Sequence, residues 1–481
     1  MDLRELVVVG ILVLDLSCVA YGNLAFPVVH KFKGRHRSLV ALKAHDDRRR
    51  GRFLSALDLS LGGNGLPSET GLYYTKVGIG SPPKDYFVQV DTGSDLLWVN
   101  CIECTECPKK SDLGIDLTLY NSKASNTSKP VYCDGDFCKA TYDNQVSDCK
   151  PQKSCLYSIT YGDGGTTSGY FVKDDLTFDE VNDNLHSEPA SSSVIFGCGA
   201  KQAGGLGSSS DEALDGIIGF GQANSSVLSQ LAASGKVKKI FSHCLDSIHG
   251  GGIFSIGEVL EPKFNKTPLL SGQAHYNVVL KDIEVNKEFL QLSSGILDSG
   301  DDMASVIDSG TTLAYLPETV YEQLMDKIMA EQSGLKLLLV DNQFTCFEYS
   351  GNVDDGFPVV KFHFENSLTL TAYPHDYLFK TKDSEWCVGW QKSMAKAKNG
   401  KDMTLLGDLV LSNRLVVYDL ENMTIGWTEF NCSSGIKVKD ETSGKVYAVG
   451  AHNISSASTV LFGGILALLL LLIVMPNSVM S

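Results

Sequence analysis

The chain has 481 residues, with 57 Asp and Glu against 41 Lys and Arg, 13 Cys and 46 Gly, and 43% of it is apolar. That is enough apolar sequence for a sizeable core, which excludes whole-chain disorder, and a formal net charge of −16 excludes a general phosphate-neutralising nucleic-acid binder. Thirteen Cys in an acidic chain point to a secreted protein, because disulfides rarely persist in the cytosol.

The first predicted element is apolar. Leu6 to Leu14 is followed by Ala20-Tyr21-Gly22, a small-residue pattern that fits a secretory signal peptide over residues 1–22. A buried N-terminal strand or helix is the alternative. Between Asn23 and Arg52 stand nine Lys and Arg against two Asp, a net of +7, which leaves −21 for residues 53–481. A cationic strip ahead of an anionic body suggests a propeptide held partly by charge, taken here as residues 23–70; a solvated basic arm is the plainer alternative.

From Tyr73 onward, short apolar or alternating runs are broken at close intervals by Gly, Asp and Asn. The runs 73–77, 86–90, 158–161 and 415–418 are predicted strands, and helices are expected chiefly at 226–233 and 318–332. The fold class is therefore mostly β. Within this body the sequence repeats itself. Val90-Asp91-Thr92-Gly93-Ser94-Asp95-Leu96-Leu97-Trp98 has a counterpart in Ile307-Asp308-Ser309-Gly310-Thr311-Thr312-Leu313-Ala314-Tyr315. The first is followed by Asp215-Gly216-Ile217-Ile218-Gly219 and the second by Thr404-Leu405-Leu406-Gly407-Asp408. Two related lobes in tandem are expected, residues 71–260 and 261–432, with the boundary between Gly257 and Thr267.

Each motif ends an apolar strand, and its Gly lets the chain turn sharply so that the Asp faces outward. Two such loops face to face would pair Asp91 with Asp308. Like charges at close range do not both ionise easily, so the pair would share a proton, one carboxylate acting as general base on water while its protonated partner polarises a carbonyl. Ser94 and Thr311 are placed to donate hydroxyl hydrogen bonds to the outer carboxylate oxygens. A single such triplet is usually only a turn: Asp298-Ser299-Gly300 runs into Asp301-Asp302, lacks the flanking apolar strands, and reads as a surface loop.

With these residues in place, the chain resembles a pepsin-like aspartic peptidase over about Gly71 to Cys432. It is most similar to the plant group with a Cys-rich insertion near the first active loop, as in nepenthesin-like and surface-anchored members. The resemblance implies that Asp91 and Asp308 are catalytic and that Tyr161, in Thr160-Tyr161-Gly162-Asp163-Gly164, is the tyrosine of a flap hairpin. It makes Trp98 the hydrogen-bond partner of that tyrosine; plain core residues are the alternative for both. The alternating residues and Gly-rich turn around Tyr161 fit a hairpin independently. Asp95 departs from the Ser or Thr of many members, and no long saposin-like insertion interrupts the second lobe. With Cys18 removed in the signal, twelve cysteines remain. The resemblance implies the pairs Cys101–Cys104, Cys107–Cys198, Cys133–Cys155, Cys138–Cys149, Cys244–Cys432 and Cys346–Cys387, in preference to zinc ligation at Cys101, Cys104 and Cys107. No metal or cofactor is expected.

Asn126, Asn224, Asn265, Asn422, Asn431 and Asn453 head glycosylation acceptor triplets. The last elements are a polar stalk, residues 433–455, and an apolar tail within 456–481. Val460 to Met475 is short for a spanning helix and no basic residue follows it. Small residues, a spacer and a terminal apolar run form a glycosylphosphatidylinositol attachment signal, with Ser455, Asn453 or Gly450 as the attachment residue. A single-pass helix or an interior helix is the alternative. Together these features imply a monomeric aspartic endopeptidase on the outer face of the plasma membrane, cleaving extended polypeptides at acidic pH without nucleic-acid partners. A non-catalytic binding or inhibitor protein of the same fold and an adhesive surface glycoprotein are the rivals.

Overall fold

The computed structural model describes residues 59–451 apart from 69–70, 147, 162–163, 184–185, 208, 293–303, 394–401 and 440–444. All of these belong to one compact unit. The signal segment, residues 23–58 of the basic strip, the Asp298 triplet, Asn453, Ser455 and the apolar tail lie outside the described residues.

Among the described residues the strands form five sheets, of nine, five, three, eight and four strands. The repeat seen in the sequence is a repeat of topology. In the nine-stranded sheet, Lys84–Asp91 runs parallel to Gly216–Gly219, which in turn runs antiparallel to the strand that begins at Trp98. In the eight-stranded sheet, Ala304–Ile307 runs parallel to Leu405–Leu406, which runs antiparallel to Ala314–Leu316. Parallel neighbours need long crossover connections, so each Asp loop and its later partner are distant in sequence yet adjacent in space. The molecule is mostly β and bilobal.

A five-stranded sheet lies between these two, in the order Gly252–Ile256, Ile240–Leu245, Arg414–Asp419, Thr424–Glu429, Asn265–Pro268. Its strands come from both sides of the expected boundary at Gly257 to Thr267, so the chain does not separate cleanly there. Its core is aromatic: the Phe241 and Tyr418 rings stack at 4.5 Å with planes 3° apart, and Tyr276 meets Tyr418 edge-on at 4.5 Å.

Both expected helices form. Val227–Ala233 is capped by the Ser226 hydroxyl, which accepts the Ser229 N–H at 2.8 Å. Glu318–Ala330 buries Val320, Leu324, Met325 and Ile328, the inward stripe of an amphipathic helix. Part of the stretch expected to be a polar stalk is instead strand, at Ile436–Lys439 and Val446–Val449. Strands Ile436–Lys439 and Val446–Val449 form a hairpin on Glu258–Glu261, with Ile436, Val438 and Val449 buried beside Cys432. The alternation explains it: Lys437 and Lys439 point outward to Glu261 and Glu258, at 2.7 and 3.4 Å, while the apolar positions between them turn in.

Four of the six disulfides differ from those the resemblance implied. Cys101 joins Cys198 because Trp98–Thr105 runs parallel beside His186–Ala203 with Val99 level with Cys198. Cys104 then closes a short turn with Cys107. Cys138 joins Cys155, since helix Asp136–Thr141 buries Cys138 in the same apolar cluster as Cys155, and Cys133 joins Cys149, its Sγ lying 3.4 Å from the neighbouring Lys150 carbonyl. Cys244–Cys432 and Cys346–Cys387 coincide with the expected pairs.

Candidate active site

Asp91 is the last residue of its strand and Asp308 follows the strand Ala304–Ile307; both are buried. Each carboxylate is held by the amide two residues on. The Gly93 N–H donates to Asp91 Oδ1 at 2.9 Å and the Gly310 N–H to Asp308 Oδ1 at 2.7 Å. The loops also grip each other, the Ser309 N–H donating to Thr92 Oγ1 at 2.8 Å.

The two glycines show how close the carboxylates come. A Cβ built on Gly93 would lie 2.5 Å from both carboxylate oxygens of Asp308, and one built on Gly310 would lie 2.0 Å from Asp91 Oδ1. Each Asp therefore packs on the other loop's glycine, and no side chain fits at either position. The hydroxyls flanking the pair are not equivalent. Thr311 Oγ1 donates to Asp308 Oδ2 at 2.8 Å as expected, whereas the buried Ser94 Oγ has no hydrogen-bond partner among the described residues. The β-branch of threonine restricts χ1 and so helps hold its hydroxyl on the carboxylate; serine is not held in this way.

The later partner segments carry the backbones of the two loops. The Phe220 N–H donates to the Asp91 carbonyl at 2.6 Å and the Gly221 N–H to the Ser94 carbonyl at 2.9 Å. In the other lobe the Asp408 N–H donates to the Thr311 carbonyl at 2.7 Å and the Leu409 N–H to the Thr312 carbonyl at 3.0 Å.

Tyr161 follows strand Leu156–Thr160, which forms a hairpin with Thr166–Asp183 in a register pairing Thr160 with Thr166. Its hydroxyl accepts the Trp98 Nε1–H at 2.7 Å, and both side chains are buried with Leu96, Tyr157, Phe171 and Ile217. The turn residues Gly162 and Asp163 lie outside the described residues.

Several residues around the site carry no sequence signal that would have found them. From the second half of the chain, His275 Nδ1 lies 3.1 Å from the Gly93 carbonyl, to which it donates, and the Tyr276 hydroxyl donates to the Phe220 carbonyl at 2.5 Å. Gln222 Nε2 donates to the His275 carbonyl at 2.7 Å. Asp215 stood in a motif but without a role. Its two oxygens accept the Phe87 and Thr118 N–H groups at 2.8 and 2.6 Å, tying the strand of Asp91 to a neighbouring loop, and burial pushes its carboxyl up to about 7. Asp95 is buried, with Oδ1 3.5 Å from the Ala223 amide nitrogen.

Of the acceptor asparagines, Asn126, Asn224, Asn265, Asn422 and Asn431 are exposed, although the Asn422 amide donates to both Asp419 oxygens, at 3.1 and 2.9 Å. Gly450 is half-buried. Among the described residues no helix is long and apolar enough to cross a membrane, and no group of three or more His, Cys, Asp or Glu is placed to hold a metal ion.

The arrangement agrees with comparisons to known proteins. Residues 73–258 match the family model described as xylanase inhibitor N-terminal, and residues 275–429 match the one described as xylanase inhibitor C-terminal. Aspartic proteinase 36 of Arabidopsis thaliana is 51% identical over 98% of this chain and 96% of its own length. The chain belongs to the pepsin-like aspartic protease family. Aspartic proteinase 39 of the same plant, a second member, is 48% identical over 96% of each chain. The fold is shared with the crystal structures of soybean basic 7S globulin and of edgp, each with a TM-score of 0.59, at 20% and 18% identity. They cover 77% and 79% of this chain and 96% of their own.

Proposed function

We propose that the protein is an aspartic endopeptidase that hydrolyses peptide bonds of extended polypeptides at acidic pH, with Asp91 and Asp308 as its catalytic pair. The reciprocal packing of each carboxylate on the other loop's glycine carries this reading. Two carboxylates so close share one proton. The ionised member removes a proton from a water molecule as the water oxygen attacks the scissile carbonyl carbon, and the protonated member gives its proton to the carbonyl oxygen. A tetrahedral intermediate results, with no covalent bond to the enzyme. Its collapse breaks the C–N bond, returns a proton to the departing nitrogen and releases an acid and an amine. Thr311 holds Asp308, while Tyr161, braced by Trp98, closes over a substrate lying between lobes 71–260 and 261–432.

The six disulfides support an oxidising compartment. With the signal at 1–22, the propeptide at 23–70, the exposed acceptor asparagines and the terminal apolar run, they support a glycosylated, monomeric zymogen. Its mature form is tethered to the outer cell surface by a lipid at Ser455, Asn453 or Gly450. Release of the protein from membranes by a phosphatidylinositol-specific phospholipase tests the tether.

The description of the matching family models favours one rival, a non-catalytic binding or inhibitor protein on the same fold. Digestion of casein or haemoglobin between about pH 3 and 6, with and without pepstatin, separates the two. Cleavage that pepstatin stops and that Asp308→Asn abolishes in a folded protein is expected. A fully active Asp308→Asn protein would sink the mechanism.

A further inference from the structure

The sheet between the lobes contains polar groups that its packing does not require. His243, on strand Ile240–Leu245, is fully buried, and its Nε2 lies 3.1 Å from the hydroxyl of Tyr418, on strand Arg414–Asp419. The Tyr418 hydroxyl is hydrogen-bonded in turn to the Thr92 side chain, and Thr92 Oγ1 accepts the Ser309 N–H at 2.8 Å. A continuous run of hydrogen bonds therefore leads from the sheet, through the loop of Asp91, into the loop of Asp308.

The other ring nitrogen of His243 has no hydrogen-bond partner among the described residues. An orphaned buried N–H is rarer in proteins than an under-satisfied acceptor, so the proton belongs on Nε2, which donates to the tyrosine. The Tyr418–Thr92 hydrogen bond carries the run on into the loop of Asp91. Burial, by disfavouring the imidazolium, pushes the ring down to about 3, so it stays neutral through the acidic range. An apolar side chain would suit this position better by packing alone, since the groups around it include Phe254, Val416 and Tyr418. The histidine is costly where it stands, and its hydrogen bond is what distinguishes it from a leucine.

We infer that His243 and Tyr418 are positioning residues for the paired carboxylates, fixing the Thr92 hydroxyl and through it the Ser309 amide, so that the two Asp loops are held in register from the sheet beneath. The inference rests on Asp91 and Asp308 being the catalytic pair.

Tyr418→Phe removes the hydroxyl and leaves the ring to stack on Phe241. In the full chain it is expected to lower kcat about tenfold on a peptide substrate with KM changed by less than about twofold, the pattern of a group that matters in the transition state only. His243→Leu is expected to do the same, and the double variant to be no slower than either single one, because both break one run. His243→Gln, which can again present an N–H to Tyr418, restores most of the rate. Replacing both partners by apolar groups leaves Tm unchanged or raises it, so that activity and stability move in opposite directions. As a control, Ser242→Ala breaks the buried pair that Ser242, beside His243, makes at 2.9 Å with Ser255 on Gly252–Ile256, and lowers Tm without changing kcat.

A readout independent of activity keeps this test separate from that of the proteolytic function. Hydrogen exchange in the peptide spanning Ser309 should quicken about tenfold at that amide in Tyr418→Phe, and not in Ser242→Ala. Exchange that is unaltered in Tyr418→Phe, or additive losses of kcat in the double variant, would overturn the inference. Absence of proteolysis in the parent protein would count against the functional reading, and the exchange result would still decide this one.

Discussion

Two buried groups near the candidate site titrate in opposite senses, and each contributes to how stability changes with acid. His243 is held down to about 3 from an ordinary 6.5. Below pH 6.5 the unfolded chain therefore takes up a proton that the folded chain refuses, and stability falls as the pH drops towards 3. At about pH 4.5 the loss is two pH units' worth, about 3 kcal/mol. Asp215 is pushed up to about 7 from an ordinary 3.8. There the folded chain takes up the proton first, so stability rises as the pH drops from 7 towards 3.8, by ~3 kcal/mol at about pH 4.5. The two contributions nearly cancel over the acidic range in which the enzyme is proposed to work. Removing one should expose the other. In an Asp308→Asn background, which prevents self-digestion, His243→Leu should gain about 3 kcal/mol relative to its parent between about pH 7.5 and 4.5. Asp215→Asn should lose ~3 kcal/mol over the same interval, beyond a constant offset from the amide NH2 it sets against a backbone N–H. Urea unfolding followed by tryptophan fluorescence at the two pH values measures both. If His243→Leu is displaced from its parent by the same amount at each pH, the argument fails.

Three further outcomes follow from the geometry. Gly93→Ala should yield a soluble protein with activity reduced at least about a thousandfold, because the new methyl falls within 2.5 Å of the Asp308 oxygens; peptide-cleavage assays and circular dichroism check the two halves of this statement. Trp98→Phe removes the 2.7 Å hydrogen bond to Tyr161 and should lower kcat/KM by roughly tenfold, the equivalent of one buried hydrogen bond. Arg414→Met should cost about 3–5 kcal/mol in denaturant unfolding, since it strands the Asp376 carboxylate that Arg414 meets at 2.7 Å, with both side chains buried.

What was legible in the sequence was local. An Asp that ends an apolar strand and is followed two residues later by Gly is a contiguous pattern, because the turn and the N–H that holds the carboxylate both fall within a few residues. The helix at Val227–Ala233 was legible in the same way, within the run 226–233, and the structure adds the cap at Ser226. Cysteine pairing was not legible. The Cys101–Cys198 bond depends on a parallel strand alignment spanning 97 residues, and no spacing rule conveys that. The hairpin after Cys432 was missed because two strands of four residues, one alternating Lys with Ile and Val, read as polar until Glu258–Glu261 is known to lie beneath them.

The same distinction explains why the repeat disclosed the carboxylates but not what holds them together. Duplication writes each Asp loop twice, and a reader of one chain can see the echo. Two equivalent loops, however, do not specify their own mutual placement; a third element must, and it need not be duplicated. That element is the sheet between the lobes, whose strands come from both halves of the chain. The residues that reach the loops from the sheet and its surroundings include Tyr276 to the Phe220 carbonyl, His275 to Gly93 and Tyr418 to Thr92, and the other lobe answers them only in part, with Tyr73 meeting Ser412 and the Gly71 carbonyl accepting the Thr312 hydroxyl. The asymmetry of Thr311 and Ser94 belongs to the same pattern, one hydroxyl held on its carboxylate and the other not. Two like carboxylates at close range share a proton even in identical surroundings, and groups that differ between the two loops, such as Thr311 and Ser94, bias which of them carries it.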